Sequence, residues 1–335
     1  MKGEQGFTMV EALISTCIVL VLLAATMSSL NDAFSVNEKA TLMADLEQNL
    51  RAGMNFVVRD FINAGWGIPT GGIPIPSGDG ALPVRRPGPP GTNYTFSPAV
   101  TVAAVNPGAS LGPSGSGGAT DIVNMLCADN SLPLNQTPLA SIADNGSSMT
   151  VDAGTPISGV PNAIRAGDLI AFSNALGNTM QYVTRVSGQV VFFDSGDPMN
   201  LNQPAAPQGS IMQLQSGGTF PPTTATRVWL ITYYLDTITD PVMPRLIRRI
   251  NSRPGEVVAL VLEDLQLSYD LVDGVTNPAN VESPVPPNSP NQIRKVNILL
   301  SGRSSAVIRN TGQYLHRNLT TQVSLRSLSF IDRYS

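Results

Sequence analysis

The most constraining feature of the chain is an apolar stretch of 24 residues near the N-terminus, from Phe7 to Leu30. At about 1.5 Å per helical residue, this stretch is long enough to cross a hydrocarbon core of about 30 Å. Glu11 is its only charged side chain. A carboxylate near mid-bilayer costs roughly 2.5–3.5 kcal/mol and needs a compensating partner, whereas the cost is smaller close to the interface. The sequence therefore predicts a membrane-spanning helix in which Glu11 is either an interfacial charge or a functional one.

The small residue that a processing enzyme would recognise lies before the apolar stretch. A secretory signal peptide carries its small-residue cleavage site after the apolar region, but the residues that follow Leu30 read Asn31-Asp32-Ala33-Phe34-Ser35 and offer no such site. Cleavage between Gly6 and Phe7 would instead leave the apolar stretch on the mature protein. It would also create a new cationic amine one helical turn before Glu11.

The run Gly6-Phe7-Thr8-Met9-Val10-Glu11-Ala12-Leu13-Ile14 resembles the class III leader of type IV prepilins and pseudopilins. It departs from the usual pattern only at Met9 and Ala12, where the family often has leucine. The resemblance implies cleavage after Gly6 by a prepilin peptidase and N-methylation of the Phe7 amine. It also implies that Glu11 pairs with the N-terminal amine of a neighbouring subunit and so directs subunit assembly.

The helix is predicted to continue beyond the membrane, because apolar residues recur at intervals of three and four. These residues are Val36, Ala40, Met43, Leu46, Leu50, Met54, Val57 and Phe61. Gly65 is placed to end the helix, with Pro69 beyond it. We therefore predict a leader at 1–6 and one helix over 7–64, with a transmembrane or filament-core part at 7–30 and an amphipathic stalk at 31–64. A freestanding coiled coil is the alternative for the stalk.

The rest of the chain, 65–335, is predicted to be a β-rich globular domain. Gly/Pro-rich runs at 65–118 and 277–290 have loop composition. Strands are expected at Asp121–Cys127, Asp168–Ser173, Met180–Val186 and Gln189–Asp194, followed by Ile211–Gln215. The run from Asp168 to Asp194 resembles a small meander inserted into the body.

The C-terminal region predicts a hairpin of Thr226–Leu235 with Pro244–Ile250. Four further segments are expected: a helical turn or strand at Glu256–Glu263, which leads into Asp264–Leu271, and strands at Gln292–Ser301 and Thr321–Phe330. The segments 262–269, 293–300 and 321–328 resemble PilW-type minor pilins. The expected fold is α+β and pilin-like: a long N-terminal transmembrane and stalk helix packed on a C-terminal antiparallel β-sheet domain, with a β-rich insertion.

Composition excludes several function classes. The formal net charge of −4 argues against a general nucleic-acid binder. The two cysteines, Cys17 and Cys127, are too far apart in the predicted organisation to form a disulfide, and Cys127 is expected to be a buried apolar residue. The single histidine, His316, has no visible catalytic partner. We therefore predict no enzyme activity, no catalytic residue, no metal and no cofactor.

Two polar clusters leave alternatives open. Asp270, Asp273, Asn277 and Glu282 offer oxygen ligands for calcium, although their spacing does not match an EF-hand loop and Asp273-Gly274 is first a turn signal. The second cluster consists of four arginines, Arg245, Arg248, Arg249 and Arg253. The alternatives for this cluster are contact with DNA phosphates, a subunit interface, and a solvated strand face with Glu256, Glu263 and Asp264 as partners.

The resemblance implies a minor pilin, a structural subunit that initiates assembly of a type IV pilus or forms its tip. The expected partners are prepilin peptidase, other major and minor pilins, the inner-membrane assembly platform and, before assembly, membrane lipid; nucleic acid is disfavoured. The charges around the span predict that the globular domain lies outside the inner membrane, and the resemblance implies the periplasm and, after assembly, the cell surface. The alternatives are a minor pseudopilin of a type II secretion system and a tip-displayed adhesin.

Overall fold

A computed structural model of the protein describes residues 8–115 and 117–329. The chain divides into two compact units. One unit comprises the described part of Met1–Gln48 together with Arg303–Arg317, and the other comprises Asn49–Gly302 together with the described part of Asn318–Ser335.

The long helix α1 runs from Met9 to Asn63 without interruption. Its 55 residues include no proline and one glycine, Gly53, so the sequence imposes neither a break nor a proline kink. Just beyond its end, Gly65 has a φ of +80°, a left-handed conformation that glycine adopts without steric cost. The Gly65 N–H donates to the carbonyl oxygen of Leu126 at 2.8 Å. The prediction of one continuous helix is confirmed over the described residues.

The body is built from antiparallel strands that range from 2 residues in β1 to 13 residues in β13. The first are β1 (Ile73–Pro74), β2 (Thr101–Val102), β3 (Val105–Gly108), β4 (Ser114–Gly115), β5 (Gly118–Ala119), β6 (Ile122–Asp129), β7 (Ser141–Ile142), β8 (Ser148–Thr150) and β9 (Leu169–Asn174). They are followed by β10 (Gly177–Tyr182), β11 (Arg185–Ser187), β12 (Val190–Phe192), β13 (Thr224–Asp236), β14 (Arg245–Ile250), β15 (Glu256–Leu260), β16 (Leu262–Leu271), β17 (Ile293–Arg303) and β18 (His316–Ser324). Short helical elements occupy Ile211–Leu214, Pro290–Gln292 and, as α2, Arg326–Ser329.

The largest sheet has seven strands and is organised around β13. Strand β13 pairs with β9 through its first residues, with β6 through its middle and with β14 through its last residues. The predicted hairpin is confirmed, because β13 and β14 pair antiparallel from Ile231 opposite Ile250 to Asp236 opposite Arg245. Strand β15 pairs with β14 at the edge, so the strand alternative at Glu256–Glu263 is the one observed.

The predicted meander between Asp168 and Asp194 is divided between two sheets. Strands β9 and β10 belong to the seven-stranded sheet, whereas β11 and β12 form a four-stranded sheet with β8 and β7. Both parts still share one core, in which Phe172 of β9 meets Phe193 edge to face with ring centroids 5.4 Å apart. The division arises because the free edge of β9 pairs with β13, a strand 50 residues further along that a local pattern does not reveal.

Two predicted strands contain helical turns. Ile211–Gln215 was expected to continue the sheet but forms a 3-10 helix, and the predicted strand Thr321–Phe330 ends at Ser324 and is followed by α2. Phe330 lies outside the described residues. In both places the buried apolar residues are three apart, Ile211 with Leu214 and Leu325 with Leu328. A spacing of three places both side chains on one face of a helical turn and on opposite faces of a strand.

The three-stranded sheet β16-β17-β18 follows the predicted alternation. In β17 the side chains of Val296, Ile298 and Leu300 are buried, and their neighbours along the strand are more exposed. The Gly/Pro-rich segment 65–118, which was expected to be loop, also contains β1 to β4 and contributes to the core. Its buried residues Ile73, Ile75, Val84, Phe96 and Val102 pack in one cluster with residues of β6, β9, β10 and β13.

The last part of α1, from Asn49 to Asn63, packs on this β-rich body. Gly53 permits a close approach, since a β-carbon at that position would lie 3.0 Å from the Ala259 Cβ and 3.3 Å from a Leu246 methyl. Seven residues after Gly53, Asp60 is buried and accepts hydrogen bonds from Arg248 Nε at 2.5 Å and from the Tyr233 hydroxyl at 2.7 Å. The observed layout is therefore α+β, with a helix packed against antiparallel sheet.

We expect Asp60→Asn to lower the free energy of unfolding of this body by about 3 kcal/mol, because it leaves the nearly buried Arg248 charge without a counter-charge. Denaturant unfolding of the full chain in detergent, followed by the fluorescence of Trp66 and Trp229, measures the loss. Asp45→Asn is the matched control, since Asp45 is an exposed residue of the same helix and should change the free energy by less than about 0.5 kcal/mol. Equal effects of the two substitutions would contradict the assignment.

Candidate functional site

The predicted site residues lie at the start of α1. Gly6 and Phe7, the predicted cleavage junction and methylation site, lie outside the described residues. Glu11 is in the first turn of α1 and is exposed. The structure therefore shows the surroundings of Glu11 and not those of the junction.

Glu11 forms a capping box with Thr8. Its Oε2 atom accepts hydrogen bonds from the Thr8 N–H at 3.0 Å and from the Thr8 hydroxyl at 2.9 Å, and the Glu11 N–H approaches the Thr8 hydroxyl oxygen at 3.4 Å. These reciprocal bonds satisfy backbone donors that the first helical turn otherwise leaves unpaired. The Thr-x-x-Glu spacing is a sequence signature of this cap, and the sequence reasoning used Thr8 only as part of the leader motif.

The other carboxylate oxygen of Glu11 remains available. Within residues 8–115 and 117–329, Oε1 accepts no hydrogen bond. Oε2 therefore caps the start of the helix, while Oε1 can accept a hydrogen bond from a cationic donor outside the described residues. A carboxylate has enough acceptor positions to do both at once.

The surface that follows Glu11 is apolar on every side of the helix. An 18-residue window of α1 has a mean hydropathy of 2.3, and none of it is buried within the protein. Its large exposed side chains are Leu13, Ile14, Ile18, Val19, Leu20, Val21, Leu22, Leu23, Met27 and Leu30. A helix that is apolar all round needs an apolar environment on all sides. By length and composition this helix is suited to a single membrane crossing.

Three hydroxyl groups in the apolar stretch form hydrogen bonds within the helix itself. Ser15 and Thr16 both donate to the carbonyl oxygen of Ala12 at 2.9 Å, and Thr26 donates to that of Leu23 at 2.9 Å. Such bonds remove the need for water at these positions. Glu11 is thus the polar side chain of this stretch that retains a charge to be neutralised.

The four arginines of the predicted cationic cluster face partners inside the body. Arg245 pairs with Asp236 at 2.6 Å, Arg248 with Asp60, and Arg253 with the fully buried Asp168. Arg249 donates to the backbone carbonyl oxygens of Arg253 and Ser252. The expected partners Glu256, Glu263 and Asp264 were therefore wrong, because the partners come from α1, from the β9 region and from the end of β13.

These ion pairs shift pKa values in the directions expected from their surroundings. Burial lowers the pKa of the Arg248 guanidinium, but the hydrogen bond and charge of Asp60 more than offset burial and leave that pKa raised. Burial and the nearby Asp60 carboxylate raise the pKa of the Tyr233 hydroxyl. Tyr233 therefore stays neutral and acts as a hydrogen-bond donor to Asp60 at physiological pH.

Two of the three carboxylates considered for calcium, Asp270 and Asp273, accept hydrogen bonds from N–H groups. Asp273 accepts from the backbone N–H groups of Val275, Thr276 and Asn277 at 2.8–2.9 Å, and these bonds lower its pKa. Asp270 accepts from the Asn297 amide at 3.1 Å. Within the described residues, no group of three or more His, Cys, Asp or Glu side chains is arranged to hold a metal ion.

The two cysteines are separate free thiols, as the sequence predicts. Cys17 is exposed on the apolar part of α1, and Cys127 is buried in β6 opposite Trp229. Burial raises the pKa of the Cys127 thiol to about 11, so this thiol is almost entirely protonated and unreactive near neutral pH.

Comparisons with models of protein families, with curated proteins and with solved structures found no match to this chain.

We expect Cys17 to resist a membrane-impermeant maleimide in intact spheroplasts, because a thiol in the membrane is shielded from water. Denaturation in sodium dodecyl sulfate should expose both thiols and allow labelling. The matched variant is Val36→Cys, which places a thiol on the same helix six residues beyond Leu30, at a position that is 66% exposed. It should be labelled in intact spheroplasts at least tenfold more than the wild type. Wild-type labelling equal to that of Val36→Cys would contradict a membrane-embedded helix.

Proposed function

We propose that this protein is a minor pilin, a structural subunit that helps to initiate a type IV pilus or forms its tip. The observation that carries the proposal is the exposed apolar stretch of α1 from Met9 to Leu30, whose single carboxylate, Glu11, lies in the first turn. The Gly6–Phe7 junction directly upstream supports it, because cleavage there would expose a cationic amine next to that carboxylate.

A simple membrane anchor does not account for Glu11. Valine or leucine at that position would make an equally good anchor, and a carboxylate in hydrocarbon is costly unless paired. Thr8 supplies hydrogen bonds to Oε2 but no positive charge. A methylated Phe7 amine on an adjacent subunit would supply the charge at Oε1, which accepts no hydrogen bond from the described residues. The resulting pair would fix the axial position of one helix against the next.

The body supports a role at low copy number. It carries a four-stranded accessory sheet and an extended Gly/Pro-rich segment in addition to the sheet on which α1 packs. Such additions would be repeated in every subunit of a filament lattice, whereas a tip or priming subunit needs to accommodate them once. The proposed partners are prepilin peptidase, the other pilins and the inner-membrane assembly platform, with the body exported to the periplasm and then the cell surface.

We expect Gly6→Leu to prevent processing, because a bulky side chain would replace the small residue at the cleavage junction. Intact-mass measurement of the purified chain should show only precursor, whereas the wild type should begin at a methylated Phe7. Gly3→Leu is the matched control within the leader and should be processed normally. A mature N-terminus at Phe7 in the Gly6→Leu variant would contradict the cleavage assignment.

Two substitutions separate the charge of Glu11 from its capping role. Glu11→Gln removes the charge but keeps an oxygen that can accept from Thr8, whereas Glu11→Val removes both. We expect both variants to enter the membrane. We also expect the amount of each variant in sheared surface filaments to fall at least tenfold, because either substitution leaves the neighbouring amine without a counter-charge, and a loss of about 1.4 kcal/mol corresponds to a tenfold change. Quantitative mass spectrometry of the filaments measures incorporation.

Thr16→Val is the control for the Glu11 variants, because the Thr16 hydroxyl bonds only within its own helix. It should be incorporated like the wild type. Normal incorporation of Glu11→Gln together with lost incorporation of Glu11→Val would show that Glu11 acts only as a helix cap. A wild-type protein that is processed but stays in the inner-membrane fraction, with no filament at the surface, would favour a secretion-system pseudopilin.

A further inference from the structure

A small cavity of about 180 Å³ lies beside the loop Pro87-Gly88-Pro89-Pro90-Gly91. Three of its lining residues are arginines, namely Arg85, Arg86 and Arg249, and no aspartate or glutamate lines it. We call this cavity the arginine pocket. The whole pocket lies within the unit that contains Asn49–Gly302.

Arg86 brings a buried positive charge to the pocket wall. It is only 8% exposed, and its guanidinium donates to the carbonyl oxygens of Pro107 at 2.6 Å and Asn106 at 2.7 Å and to the Asn124 side chain. These acceptors satisfy N–H groups but carry no net charge. Burial accordingly lowers the pKa of Arg86 to about 10. At neutral pH the side chain therefore remains a cation, and no carboxylate in the described part of the chain lies within ion-pair distance of it.

Arg249, like Arg86, has no counter-charge among the described carboxylates. Its guanidinium donates to the carbonyl oxygens of Arg253 at 2.8 Å and Ser252 at 3.0 Å, and it makes no ion pair with any described carboxylate. The other arginines of β14 differ, because Arg245 and Arg248 each form an ion pair with an aspartate. The uncompensated charges of this region are thus concentrated at the arginine pocket.

Arg85 and the proline-rich loop add further donors. Arg85 is exposed, and its side chain has no hydrogen bond or ion pair with the described residues. The N–H groups of Gly88 and Gly91 likewise donate to no described acceptor. Pro87, Pro89 and Pro90 fix the loop backbone and have no N–H group. A β-carbon at Gly91 would meet nothing within 4 Å, so this part of the loop is open to a ligand.

We propose that the arginine pocket binds the phosphate group of a small ligand. A phosphate dianion matches two uncompensated guanidinium charges and a third exposed one, and it accepts several charge-assisted hydrogen bonds at once. Attraction is stronger in a partly buried recess than in open water. The recess admits one phosphate group but is too small for a nucleic-acid duplex. This binding does not depend on the proposed role in a filament.

The test uses the full chain in detergent micelles and inorganic phosphate as the probe, with the ionic strength held constant. Calorimetry should give saturable binding at one site, and acetate, with a single charge, should bind at least tenfold more weakly. Arg85→Gln should weaken phosphate binding by about fivefold or more, corresponding to about 1 kcal/mol. Arg165→Gln should leave the affinity unchanged, because Arg165 is also exposed but lies outside the pocket.

Arg85 is the residue to substitute, because its side chain makes no hydrogen bond or ion pair with the described residues. An unchanged melting temperature of Arg85→Gln would verify that the side chain does not stabilise the fold. Glycerol phosphate separates the two sources of the ligand: tighter binding than phosphate supports a phosphate monoester, and weaker binding supports free phosphate. The proposal is overturned if phosphate shows no saturable binding, if acetate binds equally well, or if Arg85→Gln and Arg165→Gln have the same affinity.

Discussion

The buried contact of Asp60 with Arg248 and Tyr233 is the interaction on which the folded body depends. Asp60 belongs to the last turns of α1, and Arg248 lies 188 residues later in β14. Both oxygens of the carboxylate face the guanidinium, at 2.5 and 3.3 Å, and the Tyr233 hydroxyl donates to one of them. An ion pair in this environment offsets its desolvation only when the remaining hydrogen bonds are also made. The contact therefore specifies one position of this part of the helix on the sheet.

Around that contact, arginine serves mainly to connect distant parts of the body. Arg227 donates to Asp129 at 2.6 Å and also approaches the buried Asp168, which pairs in addition with Arg253. Both guanidinium groups also lie near the Trp229 ring, whose centroid is 4.8 Å from the Cζ atom of Arg227 and 5.2 Å from that of Arg253. Planar guanidinium groups suit such stacked and bidentate contacts better than lysine ammonium groups do. Arg85, Arg86 and Arg249 make no ion pair with a described carboxylate, and all three line the arginine pocket.

The sequence predicted those elements whose pattern is local. The helix through Asn63 follows from apolar residues three and four apart, and β17 follows from strict alternation. The β13–β14 hairpin was also predictable, since two apolar runs flank a polar turn. Errors occurred at Ile211–Gln215 and after Ser324, where two buried residues three apart were read as strand. The split of β9–β10 from β11–β12 was missed as well, because the partner of β9 is far away in the chain.

The sequence by itself determined that the N-terminal segment is a long helix with one charge in an apolar stretch, since length, period and composition are local properties. It also determined the three-residue spacing of Thr8 and Glu11, whose side chains cap this helix. Only the tertiary structure decided which charges are neutralised. Whether an arginine meets a carboxylate, as Arg248 does, or only carbonyl oxygens, as Arg86 does, depends on strands and loops brought together from distant parts of the chain. Charge pairing of this kind is a property of the assembled sheet, and no local pattern encodes it.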